Sequence, residues 1–246
     1  MLKAHINEIE YLEGKILSIK YNEDRFKISL GGDKYIFGVT SPIGKETNIS
    51  KLMQYKTLYD TLFDLDWKIK LSFHEGIKYA YSDPVQNDFS LFTINSEEEK
   101  LSYYFIENAL FRTSSLWDIL AQLYCLYFSV QISQDRIHYK KIFNPNSSHA
   151  TNFKSAAAKI SQYINQEDNT DLDGEWEGNH KFINDLRNKM THRNSPNVAT
   201  LSNYDLNLKN HPTFMLKRII EDYVTVSNYI EEILNNIEQQ FINKFK

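Results

Sequence analysis

The pattern of apolar and polar positions differs between the two ends of this chain. The beginning holds three short runs rich in β-branched and aromatic residues, separated by turn-forming segments. These runs are residues 14–21, 25–30 and 34–39. Helical periodicity follows over 49–81 and ends before Pro84, because proline cannot continue a helix. We therefore predict a three-stranded β-meander and one helix, which form an N-terminal extension over residues 1–93.

Residues 94–246 carry helical periodicity almost throughout. The predicted helices run from Asn95 to about Ser133, from Asn152 to Ile164, from near Glu175 to just before Pro196, and from Pro212 to Phe241. In the last helix the apolar residues alternate spacings of three and four, which is typical of antiparallel bundles. The expected fold class is mainly α: an up-and-down four-helix bundle preceded by the meander and its helix.

Composition narrows the class of protein. With 246 residues the chain can bury a sizeable core and suits one domain with an appendage. Its single cysteine, Cys125, lies in an apolar helical segment and excludes an internal disulfide or a cysteine zinc cluster. No apolar stretch is long enough to span a bilayer, and the N-terminus lacks a signal-peptide core. We therefore expect a soluble, cytoplasmic protein without a membrane partner.

Charge is segregated along the sequence. The net charge of −4 argues against broad electrostatic binding of nucleic acid. Residues 136–166, however, contain no Asp or Glu. Their cations are Arg136, Lys140, Lys141, Lys154 and Lys159. Such a stretch forms either a phosphate-facing surface or an ordinary solvated face, and both interpretations stay open.

The third predicted helix ends in Arg187-Asn188-Lys189-Met190-Thr191-His192. An arginine and a histidine supply what phosphodiester cleavage without a metal requires: one stabilises charge on the phosphorus oxygens, and the other moves a proton near neutral pH. The end of the helix would let His192 turn toward Arg187. The alternative is a polar helix terminus, in which a basic side chain binds the last carbonyls.

A polar stripe marks the long helix that begins near Asn95. Its members fall within an arc of roughly 120° on a helical projection. They are Asn108, Arg112, Ser115, Asp118 and Gln122. This stripe either faces water or lines a cleft or a dimer interface.

Four helices with Arg-Asn-x-x-x-His at the end of the third resemble the HEPN domains (higher eukaryotes and prokaryotes nucleotide-binding). Residues 103–109 and 116–122 look like the first helix of a poorly characterised bacterial subgroup, and the resemblance covers roughly residues 95–243. It implies a metal-independent ribonuclease that works as a homodimer, often a toxin or antiphage effector with a partner protein. Arg187 would match the phosphate-stabilising arginine, His192 the proton-transfer residue and Asn188 the polar residue after the arginine.

The expected reaction is endonucleolytic cleavage of RNA by attack of the 2′-hydroxyl, which leaves a 2′,3′-cyclic phosphate. A two-fold axis near the motif would supply two copies of Arg187 and His192 to one groove. We expect the following residues to line that groove and bind RNA: Arg193, Lys140, Lys141, Lys154, Arg112, Asn108 and Asp118. The competing hypothesis is a non-catalytic helical dimer that binds a protein or a nucleotide.

A metal enzyme is a third and weaker hypothesis. It would need carboxylate–histidine pairs at ligand spacing, and the sequence lacks them. Glycine patterns for binding nucleotide phosphates are missing as well. We therefore expect neither a metal site nor a cofactor.

Overall fold

The computed structural model describes residues 3–26, 28–30, 33–35, 48–169, 176–192, 197–201 and 206–245. This part of the chain is mainly helical, as predicted. Its helices are α1 (Lys3–Ser18), α2 (Asn48–Ala80), α3 (Asp83–Asp88), α4 (Glu97–Tyr127), α5 (Tyr139–Ile142), α6 (Lys154–Ile164), α7 (Asn179–His192) and α8 (Pro212–Phe245). Its strands are β1 (Ile28–Leu30), β2 (Asp33–Tyr35), β3 (Thr200–Leu201) and β4 (Leu206–Asn207).

The predicted β-meander is wrong. Residues 14–18, the greater part of its first strand, belong to α1, where Leu12 and Ile16 are buried at helical spacing and Ile19 is buried just beyond its end. The described remainder is a single antiparallel hairpin, in which Ile28 pairs with Tyr35. Residues 36–39 of the third predicted strand lie outside the described part. A second short hairpin, β3–β4, was not predicted.

The helix predicted over 49–81 is confirmed as α2. It continues without a break through Gly76, although glycine lowers helix propensity. A Cβ added at Gly76 would lie 3.1 Å from Cδ2 of Leu216, so the missing side chain lets α8 approach closely. Proline at position 84 opens the short helix α3 rather than only ending α2.

Helix α4 begins and ends inside the limits that the sequence suggested. Ser96 is the N-cap and accepts a hydrogen bond from the backbone nitrogen of Glu99 at 3.1 Å. The Glu99 carboxylate in turn accepts from the backbone nitrogen of Asn95 at 2.9 Å, an arrangement similar to a capping box but one residue earlier. The helix ends at Tyr127, shortly before Ser129, whose φ of 52° lies in the left-handed region. The prediction that it reaches Ser133 is therefore wrong.

Helices α2 and α4 pack along each other and run antiparallel. Lys51 of α2 donates to the hydroxyl of Ser129 just beyond the end of α4, at 2.8 Å. At the other end, the rings of Tyr79 and Phe105 stack with their centroids 5.9 Å apart. This pairing places the predicted N-terminal extension against the first helix of the predicted bundle.

Helices α4 and α8 run parallel. The Tyr103 hydroxyl donates to the carbonyl of Asn210 just before α8, and the Trp117 indole donates to Asp222 further along it. The apolar stripe predicted for α8 is confirmed, because its members are buried. They are Leu216, Ile219, Tyr223, Val226, Ile230, Ile233 and Ile237.

Helices α6 and α7 follow each other along α8 and run in the same direction. The contacts that establish this are Lys159 with Tyr229, Tyr163 with Asp222, His180 with Asp222 and Phe182 with Phe214. Both helices are therefore antiparallel to α8. The strict up-and-down alternation predicted for four helices is therefore not observed, because the consecutive helices α6 and α7 run in the same direction, opposite to α4.

The N-terminal segment is tied to the C-terminal helix. The Arg25 guanidinium donates to the Glu231 carboxylate at 2.7 and 2.8 Å and to Glu238 at 2.9 Å. One continuous cluster of buried side chains joins α1 and α2 to the later helices, for example through Leu12 and Phe73. The core therefore crosses the domain boundary that we predicted near residue 93.

Cys125 is buried in this core, as its apolar setting predicted. Burial raises the pKa of its thiol to about 11. Among the described helices, none combines the length and the apolar character needed to cross a membrane.

Candidate functional site

Helix α7 presents the predicted motif at its C-terminal end. Ile183 and Leu186 are buried in the core, and Arg187 is half-buried at the edge of that apolar face. His180, Asn184 and Arg187 are spaced by four and three residues, so they project from one side of the helix. The position of Arg187 beside the core-facing residues agrees with the helical projection of the sequence.

Tyr139 joins three of the predicted site residues. Its backbone nitrogen donates to Oδ1 of Asp118 at 3.3 Å, and the Lys140 ammonium lies 5.9 Å from the centroid of its ring. The charge of Arg187 acts on its hydroxyl and opposes the rise of its pKa. Asp118, Lys140 and Arg187 belong to α4, α5 and α7, so these three helices meet at Tyr139.

The Arg187 guanidinium is not neutralised by any neighbour in the described part of the chain. No hydrogen bond or ion pair engages it there. At the end of α7 the Thr191 hydroxyl donates to the carbonyl of Arg187 at 3.0 Å and to that of Asn188 at 3.3 Å. A half-buried guanidinium without a counter-ion is available to bind an anion.

A buried polar cluster lies directly beneath this face of α7. Its centre is Asp222, which is fully buried and accepts hydrogen bonds from the Trp117 indole at 3.0 Å and from the Tyr163 hydroxyl at 3.1 Å. Nδ1 of His180 lies 3.5 Å from the same carboxylate without hydrogen-bond geometry. Nε2 of His180 and the Tyr139 hydroxyl are 2.9 Å apart. The cluster therefore links buried Asp222 to Tyr139.

Sequence reasoning missed this cluster. Neither His180 nor Asp222 is among the residues that the sequence predicts for the site. Two signals were available: a histidine seven residues before Arg187, on the same helical face, and one aspartate within the apolar run of α8. What the sequence could not show is that the two face each other, since 42 positions separate them.

The tyrosines of the cluster are fixed as neutral hydrogen-bonding groups. Burial raises the pKa of the Tyr139 hydroxyl above its usual range, and the carboxylates of Asp222 and Asp118 raise it further. Burial and Asp222 likewise raise the pKa of Tyr163. Both hydroxyls therefore keep their protons at neutral pH and act as donors rather than as bases.

Other predicted residues lie apart from Tyr139. Arg112 donates to the carbonyl of Asn108 at 2.9 Å and to its side chain at 2.8 Å, so these two members of the polar stripe satisfy each other on α4. Lys141 and Asn188 are exposed. Lys154 lines a cavity of about 430 Å³ together with Phe128 and Glu232.

Part of the motif lies outside the described residues. His192 is the last residue of α7, and its side chain lies outside the described part. Arg193 lies outside it altogether. Two further cavities, of about 560 and 570 Å³, open beside α2, and Arg187 lines none of the three. The candidate site is therefore a surface of α7 and its neighbours, not one of these cavities.

The segment that follows the motif is anchored to α4. The Asn197 side chain is buried and donates to the Glu107 carboxylate. Burial raises the pKa of Glu107 above its usual range, and the hydrogen bond from Asn197 opposes that rise. The contact joins α4 to the chain just beyond the end of α7.

The raised pKa of Glu107 leads to a pH-dependent prediction. The folded protein binds the proton of the Glu107 carboxyl group more tightly than the unfolded chain does. The ionised carboxylate therefore lowers the free energy of unfolding at a pH above the folded pKa. This loss of stability shrinks as the pH falls through that pKa. We expect Glu107→Gln to raise the melting temperature slightly at pH 8, with the difference vanishing by about pH 3.5, near or below the pKa of an unfolded glutamate. Thermal unfolding measured across this range tests it. Glu10→Gln, at an exposed position, is the control and should show no such trend; a parallel trend in both variants would contradict the assignment.

Comparison of the chain with models of known protein families, with curated proteins and with solved structures finds no match in any of the three. The resemblance to HEPN domains therefore rests on the sequence motif and its helical setting alone.

Proposed function

We propose that this protein binds RNA through Arg187 and cleaves it without a metal, as a HEPN-type endoribonuclease. The observation that supports the proposal is the unneutralised, half-buried guanidinium of Arg187, one helical turn and a half before the titratable His192. A phosphodiester is an anion that such a pair can both bind and cleave. Lys140 adds a second cation beside Tyr139, the residue on whose hydroxyl the charge of Arg187 acts.

The chemistry assigns one role to each group. His192 removes the proton of the 2′-hydroxyl, whose oxygen attacks the adjacent phosphorus. Arg187 stabilises the charge that develops on the equatorial oxygens. The 5′-oxygen of the next nucleotide departs and takes up a proton from an acid, which leaves a 2′,3′-cyclic phosphate and a 5′-hydroxyl. A second His192 from another copy of the chain is the natural acid.

The proposal includes a C2 homodimer with a shared groove. One chain holds a single Arg187 and a single His192, whereas cleavage requires a base, an acid and charge stabilisation; a two-fold axis near the end of α7 doubles each group. Helix α4 offers apolar side chains for such an interface: Leu101, Tyr104 and Phe111 are 36%, 59% and 37% exposed. Three and seven positions separate them, so they form a stripe along one side of that helix.

The test is cleavage of single-stranded RNA by purified protein in excess chelator. We expect Arg187→Ala to lower the rate by roughly 10²–10³-fold, the usual effect of removing one charge-stabilising group. His192→Ala should lower it at least as much. Lys189→Ala, which removes an exposed cation two residues from Arg187, is the matched control and should stay within about threefold of the wild type. Absence of cleavage by the wild type, or equal cleavage by His192→Ala, would defeat the assignment.

The dimer is tested by mixing Arg187→Ala with His192→Ala protein. If the groove is shared, exchanged heterodimers regain part of the activity, because their groove again holds one Arg187 and one His192, whereas each homodimeric variant lacks one of these two groups entirely. A protein that is monomeric at micromolar concentration contradicts the composite site, whatever its activity.

The alternative is a non-catalytic helical module that binds a partner protein or a nucleotide, including an antitoxin or effector partner. The same exposed apolar stripe on α4 favours it, since such a surface suits any protein interface. In that case the wild-type protein does not cleave RNA, and Arg187→Ala and His192→Ala alter only thermal stability or association.

A further inference from the structure

We propose that Asn184 is a second anion-contacting residue beside Arg187, and that Asp222, His180 and Tyr139 position its amide. The inference rests on the proposed function only in taking a phosphodiester as the anion. It gives a role in ligand binding to the buried cluster, which the proposed roles of Arg187 and His192 do not use.

Asn184 has the geometry of a partner for Arg187. It lies three residues before Arg187 on the same side of α7, so their Cβ atoms are about 5–6 Å apart. Both side chains are half-buried. A phosphate bound by the guanidinium thus lies within reach of the amide, and amide and guanidinium groups are common donors to phosphate oxygens.

The amide of Asn184 is held by its oxygen. Oδ1 accepts a hydrogen bond from the Tyr139 hydroxyl at 3.4 Å. Within the described part of the chain, Nδ2 donates to no other group. The contact with Tyr139 therefore turns the carbonyl side of the amide inward and leaves the two N–H donors for a ligand.

The orientation of the Tyr139 hydroxyl depends on His180 and Asp222. Tyr139 can donate to Asn184 only when Nε2 of His180, 2.9 Å away, donates to the tyrosine oxygen. Nδ1 of His180 lies 3.5 Å from the Asp222 carboxylate, so Asp222 contacts the ring from the other side. The hydrogen bonds then run from Nε2 of His180 through the Tyr139 hydroxyl to Oδ1 of Asn184.

Burial keeps this chain in one arrangement. Asp222, His180 and Tyr139 are 0%, 2% and 3% exposed, so water does not compete for their hydrogen bonds. The Trp117 ring also packs against His180, with centroids 4.6 Å apart. These three are positioning residues: they do not reach the ligand themselves, and they act on it through Asn184.

The experiment measures binding of a fluorescein-labelled 2′-O-methyl RNA oligonucleotide by anisotropy. This probe has the phosphodiester backbone but no free 2′-hydroxyl, so cleavage cannot distort the result. We expect Asn184→Ala to raise Kd about tenfold, which corresponds to loss of a hydrogen bond to a charged group. We expect Tyr139→Phe, which removes only the hydroxyl, to raise Kd roughly fivefold. The double variant should bind no more weakly than Asn184→Ala, because both substitutions abolish the same contact between the Asn184 amide and the phosphate.

The controls separate positioning from folding and from cleavage. Lys189→Ala should raise Kd less than threefold, and the melting temperature of each variant is measured alongside. If Tyr139→Phe lowers the melting temperature but leaves Kd unchanged, the cluster is only structural and the positioning role is wrong. If Arg187→Ala weakens binding and Asn184→Ala does not, Asn184 makes no contact, while the role of Arg187 survives.

The two proposals can fail separately. Wild-type protein that binds the probe through Asn184 and Arg187 but does not cleave unmodified RNA overturns the ribonuclease function and upholds the anion site. Wild-type protein that binds no probe at all overturns both.

Discussion

Glu99→Ala should lower the free energy of unfolding by about 3–5 kcal/mol, the usual consequence of removing one partner of a buried ion pair. Glu99 and Lys209 form such a pair, with side chains 2% and 1% exposed. The Lys209 ammonium would be left buried, with the carbonyl of Thr93 as its remaining hydrogen-bond acceptor among the described residues. The capping contact with the backbone of Asn95 is lost as well.

Thermal and urea unfolding measure this effect. For a chain of this length the expected fall in melting temperature is roughly 6–20 °C. Glu97→Ala is the matched control, because Glu97 lies in the same helical turn, is exposed and pairs with Lys100 at 2.9 Å; it should change stability by less than about 1 kcal/mol. The double variant Glu99→Leu/Lys209→Met should recover much of the lost free energy of unfolding, since neither charge of the ion pair remains buried. Equal losses for Glu99→Ala and Glu97→Ala would show that the pair is not buried in solution.

Asp222→Ala should be destabilising to a similar extent, again about 3–5 kcal/mol. The substitution leaves the Trp117 indole and the Tyr163 hydroxyl without their acceptor, and each unsatisfied buried donor costs roughly 1–3 kcal/mol. It also removes the only carboxylate of the buried cluster that faces His180. Asn228→Ala, at an exposed position on the same helix, should stay within about 0.5 kcal/mol of the wild type.

Asp222→Asn separates the hydrogen bonds from the charge. The amide oxygen can still accept from Trp117, and the amide nitrogen can donate to the oxygen of Tyr163. We therefore expect it to lose less stability than Asp222→Ala in urea unfolding. If the two variants are equally unstable, the negative charge opposite His180 is what holds the cluster together.

The long central and C-terminal helices could be predicted because their periodicity is sustained. The spacing of buried residues in α8, and proline at its first position, located that helix from the sequence alone. The strand predicted over 14–21 is wrong over residues 14–18, which end α1, because local β-propensity and helical periodicity conflict there. The buried set Leu12, Ile16 and Ile19 has spacings of four and three, and tertiary burial decided in favour of that pattern.

The candidate site could be predicted only in part. Arg187 lies beside the buried Leu186, as their adjacent positions on one helix require. Its environment could not be read, because Tyr139 and Asp222 come from distant elements and sequence periodicity carries no information on which elements meet. The polar stripe on α4 shows the same limit: Arg112 and Asn108 bind each other, whereas Asp118 contacts Tyr139, although all three share one helical face.

The attachment of Arg25 to α8 has a consequence for the order in which this chain can fold. Glu231 and Glu238 lie 206 and 213 positions further along the chain, so these partners of the N-terminal segment are synthesised long after it. Until then the apolar side of α1 has no α8 to cover it, and contacts of such large separation form slowly. A nascent chain therefore exposes an amphipathic helix while the intervening residues are synthesised, which is when partly folded chains aggregate. Helix α1 is thus locked in place only after α8 has emerged.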